Sequence, residues 1–421
     1  MPDSPAGPRV AVTGDRVFDA RAGGWADGTV VLIEDQVIAG VAGAVPDGWP
    51  VIEMPGTSLL PGLIDAHTHV LLRSTLDELA LARHMVEENP GQRVASAVQA
   101  MSIAVRNGFT TIRDLGTEGA AYFDVGLRDA AREGIVPGPR MLVAGPAIRS
   151  TGRYPVPGEQ HSVTYPVGVD SCTGADACRE TVRTQIAYGI DCLKIYVSGR
   201  VDPPASEQDY PDGPLVWTEE EVHALVDEAH RQGLRVAAHS QTLSGARVAV
   251  AAGVDSIEHG FAISPEVAAD MAARGTVLVP TLLVTREAAE HGWYVSEPVR
   301  AAHNRSFANC LAAGVRIVLG TDVGGFEWTR VPQAEEFALM TGLGMAPVDA
   351  LRAGTLFAAE LLGLGGTAGI IEPGAAADIV AVAGDPLQDI ECLQRVELVI
   401  QRGRVAWDGH HLAWDGCHSA A

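Results

Sequence analysis

The chain has 421 residues, 47% of them hydrophobic, 20% charged and only 5% aromatic, with a formal charge of −23. This is the composition of a globular chain with a sizeable core. Its acidity, with no run of basic residues, excludes the clustered Lys and Arg through which phosphate backbones and anionic lipid surfaces are bound, so neither nucleic acid nor membrane is expected as a partner. Lysine occurs once, at position 194, and the other 29 basic residues are arginine. The N-terminus lacks a basic segment followed by an apolar one, and no apolar run approaches the ~18 residues that span a bilayer. A cytoplasmic protein is expected, and the six cysteines, at 172, 178, 192, 310, 392 and 417, are expected as free thiols because they lack both paired short spacing and the density of a disulfide scaffold, Cys172 and Cys178 being the two that could pair.

The first sixty residues read as short strands, at 9–13, 29–34, 36–41 and 58–60, broken by Gly, Asp and Pro turns. From residue 61 to about 365 apolar strand-like runs alternate with amphipathic helical stretches. Strands are predicted at 63–69, 110–114, 141–144, 192–197, 235–239, 256–259, 276–280 and 316–321, and helices at 219–232 and 265–274 among others. Residues 151–174 and 202–214 lack periodicity and read as long loops over one mouth of the assembly. The last fifty residues return to strands, at 377–382 and 396–400, with Arg402-Gly403 as the turn into 404–407. Eight strand–helix alternations between two β-rich ends predict an α/β fold: a (β/α)8 TIM-like barrel over 61–368, with a small β-sandwich built from both termini, 1–60 and 369–421.

In such a barrel the active site lies at the C-terminal ends of the strands. His67 and His69 are two apart on a strand and project from one face, a spacing that suits two imidazoles on one divalent metal. His239 ends Val236-Ala237-Ala238, His259 ends Ser256-Ile257-Glu258, and Asp322 follows Gly320-Thr321. Taken singly, each is read as a satisfied polar residue or a helix cap. Together, four histidines and an aspartate at successive strand ends suit zinc or a similar borderline metal. Lys194 lies between Leu193 and Ile195 on a buried strand, where an unpartnered ammonium costs several kcal/mol or is forced neutral. A neutral amine can take up carbon dioxide as a carbamate, an anion able to bridge two metals, and a guanidinium cannot serve this way.

With these residues in view, the sequence resembles the amidohydrolase superfamily, and within it the imidazolonepropionase-like and Xaa-Pro dipeptidase-like enzymes. The resemblance spans nearly the whole chain and rests on 61–69, 108–114, Leu193-Lys194-Ile195, Ile257-Glu258-His259-Gly260, Gly320-Thr321-Asp322 and 369–378. It implies a binuclear centre of two divalent ions, with zinc expected: His67, His69 and Asp322 on one ion, His239 and His259 on the other, and carboxylated Lys194 bridging. It also implies homo-oligomers. The expected reaction is hydrolysis of an amide C–N bond by a metal-bridging hydroxide, with Asp322 taking the proton and passing it to the leaving amine.

The expected substrate is a small molecule, a dipeptide or N-acyl amino acid. Here the chain departs from the pattern it resembles. Tyr154 stands roughly where a Gly-Gly-His segment places its histidine, Gln241 replaces a carboxylate-binding tyrosine, and Ser198-Gly199-Arg200 replaces Thr-Gly-Gly. Tyr154, Gln241, Tyr196 and Arg200 are the candidate substrate contacts, and Arg153 or Arg200 is a candidate carboxylate clamp. The departures keep open a hydrolase of a lactam, lactone or acylated natural product. A mononuclear deaminase is disfavoured because Thr242 stands where such enzymes carry glutamate. A non-catalytic scaffold is disfavoured because all six ligand positions are filled.

Overall fold

The computed structural model describes residues 9–74, 77–153, 169–199 and 201–413. It is a mixed α/β structure in which mainly antiparallel sheets, each with one parallel pairing, accompany a long series of parallel strands. The strands Arg9–Thr13, Val30–Glu34, Val37–Ala42 and Val51–Glu53 form one four-stranded sheet. A six-stranded sheet joins the termini: Thr57–Pro61 pairs antiparallel with Ile379–Ala383, which in turn pairs with Val396–Gln401. That last strand returns through Arg402 (φ 49°) and Gly403 (φ 75°) into Arg404–Trp407. Two successive positive φ values make the tight hairpin that matches strand twist, as the Arg-Gly pair predicts.

The parallel pairing runs from Leu63–Thr68 through Phe109–Asp114 to Arg140–Val143. It resumes at Ala147–Ser150 and continues through Cys192–Tyr196, Arg235–Ser240 and Ser256–His259 to Val277–Val279. Gly145, at φ 66°, and Pro146 break the third strand, so its first half bonds backward and its second half forward. The stretch 316–323 bonds on both sides: Leu278 N donates to Arg316 O and Val318 N to Leu278 O, while Ala66 N donates to Leu319 O and Asp322 N to His67 O. It makes parallel bridges at Ile317 and Val323 rather than the continuous strand expected at 316–321. Within the expected loop 151–174, residues Val169–Cys172 form a further strand beside Ala147–Ser150; residues 154–168 lie outside the described set.

The helices follow from their ends and stripes. Thr218 and Glu221 form a capping box that starts Glu219–Arg231, and Val222, Leu225, Val226 and Ala229 are its buried stripe. Ser264 caps Pro265–Arg274, which carries Pro at its first turn and ends on left-handed Gly275. Along Arg235–Ser240, Val236 and Ala238 join the main apolar core, whereas Ala237 joins an inner cluster with Leu115, Ala144 and Cys192. That alternation leaves one face of the parallel strands for polar side chains. The cysteines within the described residues are free, although the Sγ atoms of Cys172 and Cys178 lie 3.0 Å apart. No helix among the described residues is long and apolar enough to cross a membrane.

Candidate metal centre

Six residues singled out in the sequence converge at one end of the parallel strands, and all are buried: His67, His69, Lys194, His239, His259 and Asp322. The period of two puts His67 and His69 side by side, with ring centroids 5.4 Å apart. The register sets Lys194 opposite Ala237 and Tyr196 opposite His239. The Lys194 Nζ is 3.2 Å from His67 Nε2, and Asp322 Oδ1 is 3.2 Å from His69 Nε2 and 3.6 Å from His67 Nε2. The His259 ring lies 4.9 Å from that of His67 and 4.4 Å from that of His239. Single donor atoms of His67, His259 and Asp322 fall within 4.8 Å of one another.

Backbone strain marks the same place. His259 (φ 66°), Thr281 (φ 51°) and Asp322 (φ 59°) are all left-handed without being glycine, a conformation costing of order 1–3 kcal/mol per residue that persists only where the surroundings enforce it. They sit at the ends of three successive strand positions.

Beneath these side chains lies a layer of buried charge. His67 Nδ1 meets Glu258 Oε2 at 2.8 Å, and Glu258 Oε1 accepts from Arg113 Nη2 at 2.8 Å and from the Ser256 hydroxyl. Asp65 accepts from His67 N at 3.1 Å, Thr321 N at 3.1 Å, Thr321 Oγ1 at 2.6 Å and Gln333 Nε2 at 2.7 Å. One carboxyl therefore ties the His67 strand to the Gly320-Thr321-Asp322 segment. His69 Nδ1 donates to Gly116 O at 2.9 Å, and His259 Nδ1 pairs with Thr281 Oγ1 at 2.9 Å. Such outer partners orient ligand imidazoles and set their tautomers.

Burial pushes His67, His239 and His259 well below the usual imidazole pKa, and neighbouring positive charge, Lys194 included, adds to the effect. Burial also lowers Lys194 to about 8, against the pull of Glu258 and Asp322. At His69 burial is outweighed by Asp322, Glu118 and Asp114, which raise it to about 9. The tautomers follow from the partners. The Glu258 carboxylate and the Gly116 carbonyl can only accept, so Nδ1 carries the proton on both His67 and His69. The raised pKa of His69 puts a second proton on its Nε2, toward Asp322 Oδ1, while the Nε2 of His67 keeps a lone pair that meets Lys194 Nζ at 3.2 Å. A divalent ion would take the place of that His69 proton, and this donor set of imidazoles, one carboxylate and a lysine fits a borderline divalent metal.

These residues open onto a cavity of about 220 Å³, walled by Leu72, Leu81, Met85, Trp293 and Tyr294 and lined also by Glu118, Tyr196 and Gln241. Of the expected substrate contacts, Tyr196 is buried and donates its hydroxyl to Glu118 Oε1 at 3.0 Å. Gln241 is half-buried, hydrogen-bonds the His239 side chain, and donates its backbone N–H to Ser198 Oγ at 3.0 Å. Tyr154 and Arg200 lie outside the described residues. Arg153 is exposed and takes no part in the lining. Thr242, where a deaminase would carry glutamate, caps helix Leu243–Ala252 by accepting from Gly245 N.

Asp65, Arg113, Asp114, Glu118, Glu258 and Thr281 are functional positions of this site that the sequence pattern does not single out. For Asp65 and Glu258 a signal exists: each is a charge within an apolar strand, where burial is costly without partners.

A family model described as the Amidohydrolase family matches residues 58–406. Ochratoxinase of Aspergillus niger is 28% identical over 382 residues, covering 84% of this chain and 75% of that protein. Imidazolonepropionase of Deinococcus deserti is 25% identical over 386 residues, covering 86% and 88%. A solved Xaa-Pro dipeptidase with methionine bound in its active site superposes with a TM-score of 0.83 at 29% identity, covering 94% and 99%. The chain belongs to the amidohydrolase family.

Proposed function

We propose that this protein is a metal-dependent hydrolase that cleaves an amide C–N bond in a small molecule, of which a dipeptide or N-acyl amino acid is the leading class. The observation that carries the reading is the convergence of four histidines, Lys194 and Asp322, all of them buried, on the lining of one cavity. Family membership and the likeness to a Xaa-Pro dipeptidase support it. In this reading the ring of parallel pairings is a (β/α)8 barrel spanning 61–368, the terminal sheets make one β-sandwich from 1–60 and 369–421, and the enzyme is a cytoplasmic homo-oligomer.

His67, His69 and Asp322 would hold one divalent ion and His239 and His259 a second, with zinc favoured by the donor set. Lys194 would bridge them as its carbamate, formed when the neutral Nζ attacks carbon dioxide, makes an N–C bond and releases a proton. Bound there, two such ions supply Lewis acidity toward the scissile carbonyl and acidify water. Asp322 orients the attacking water, accepts its proton and delivers it to the leaving nitrogen, so that an amine departs and an acid remains. Glu258 holds His67, Gly116 holds His69 and Thr281 holds His259, so the donors are oriented before substrate arrives. Leu72, Leu81, Met85 and Trp293 exclude water from the bond being cut.

A second reading, hydrolysis of an acylated natural product, lactam or lactone, is favoured by Gln241 standing where a carboxylate-binding tyrosine is expected, and by the similarity to a protein named ochratoxinase. Zinc-loaded protein screened against dipeptides, N-acyl amino acids, lactams and acylated amines separates the two. Turnover of dipeptides or N-acyl amino acids is expected, and turnover confined to compounds without a free carboxylate would replace the first reading by the second.

A further inference from the structure

The cavity lining holds an acidic group beside the histidine cluster: Glu118, on the loop after Phe109–Asp114, reaches the cavity from a left-handed backbone at φ 47°. A Cβ on Gly116 would lie 3.2 Å from Glu118 Oε1 and 3.4 Å from His69 Cε1, so the carboxylate stands beside the ring of a proposed ligand with room kept by glycine.

This placement is enforced. Arg93, buried on helix Pro90–Arg106, donates from Nη2 to Leu71 O at 2.7 Å and to Thr117 O and Glu118 O, each at 2.8 Å. One guanidinium thus clamps the Glu118 loop to the segment following His69. The Tyr196 hydroxyl, 3.0 Å from Glu118 Oε1, fixes the carboxylate from the other side. Trp293 and Tyr294 supply aromatic wall. Among the described lining residues the single Lys or Arg is Lys194, whose Nζ lies 3.2 Å from His67 Nε2.

A substrate carboxylate placed against Glu118 would be repelled, whereas a protonated amine would be held by charge and by the aromatic faces. Resting on the hydrolase reading above, we propose that Glu118, held by Tyr196 and Arg93, selects substrates carrying a protonated amine a few bonds from the scissile carbonyl. The preferred class is then aminoacyl amides, dipeptides with a free N-terminus among them, rather than N-acyl amino acids.

The test compares choline with its neutral isostere 3,3-dimethylbutan-1-ol, titrated into the zinc-loaded protein by calorimetry at low salt. Neither probe contains an amide, so binding is read apart from turnover. Choline is expected to bind about tenfold more tightly, as one well-placed charge contact provides, and Glu118→Gln is expected to abolish most of that preference. Equal binding, or no binding of choline, by the unaltered protein would overturn the inference, whether or not the variant folds. A choline preference that depends on Glu118 in a protein that hydrolyses no amide would sustain the cation site and sink the hydrolase reading instead.

Discussion

The Nδ1 of His67 and the Oε2 of Glu258 lie 2.8 Å apart, and both side chains are almost wholly removed from solvent. The other oxygen of the same carboxylate holds Arg113 at 2.8 Å. Glu258 thus fixes the proposed ligand's tautomer and neutralises a buried guanidinium at once. Glu258→Gln keeps the shape but removes the charge. It is expected to weaken metal affinity about 10–100-fold and to destabilise the fold by about 3–5 kcal/mol, because Arg113 is left uncompensated. Competition with a chelator reads the first effect and thermal unfolding of the metal-free protein reads the second. A variant matching the parent in both would show that Glu258 is a bystander.

Close packing against His69 gives a second prediction. Gly324 has φ +107°, and a Cβ there would stand 2.2 Å from His69 O and 2.7 Å from His69 Cβ. Gly324→Ala should cost about 1–3 kcal/mol or more through overpacking and strain and should lower metal occupancy by displacing His69. Gly342→Ala is the control: it meets nothing within 4 Å, and at the end of helix Glu335–Gly342 it should be neutral or gain up to about 1 kcal/mol. Thermal shift with and without added zinc compares the two.

Glu336 gives a pH dependence away from the centre. Its carboxyl is buried and accepts from Leu282 N at 2.8 Å and Leu283 N at 2.7 Å. Burial outweighs those amides and raises its pKa from 4.5 to about 8. A raised folded-state pKa means that the native protein holds the proton more firmly than the unfolded chain. The stabilisation is therefore fully present below about pH 4.5 and is lost as pH rises through about 8. Relative to Glu336→Gln, which cannot titrate, the parent should lose on the order of a few kcal/mol over that interval. A constant melting-temperature difference between the two proteins would contradict this.

Much of the fold is legible in the sequence because buried parallel strands are apolar runs of the right length between helical stretches. Ser256–His259 and Pro265–Arg274 fall on their expected limits. The third strand is less legible: Gly145-Pro146 splits it, and its second half pairs with Val169–Cys172, inside a segment whose Gly, Pro and Ser content reads as loop. The donors are legible because each is a polar residue ending an apolar run, and Lys194 because it is the chain's single lysine. Glu118 is not. In Gly116-Thr117-Glu118-Gly119 it reads as a solvated turn, and its aim into the cavity depends on Arg93, a contact from a distant helix that no local pattern encodes.

The central claim is that Lys194 takes part in holding two ions. Elemental analysis of protein expressed with zinc present, parent beside Lys194→Arg, tests it most directly. The guanidinium keeps the charge and much of the length but cannot carry a carbamate. About two ions per chain are expected in the parent, with a lower content in the variant and activity reduced about 10²-fold or more. A parent that binds no metal, or a Lys194→Arg protein that keeps both its ions and its activity, would contradict the account.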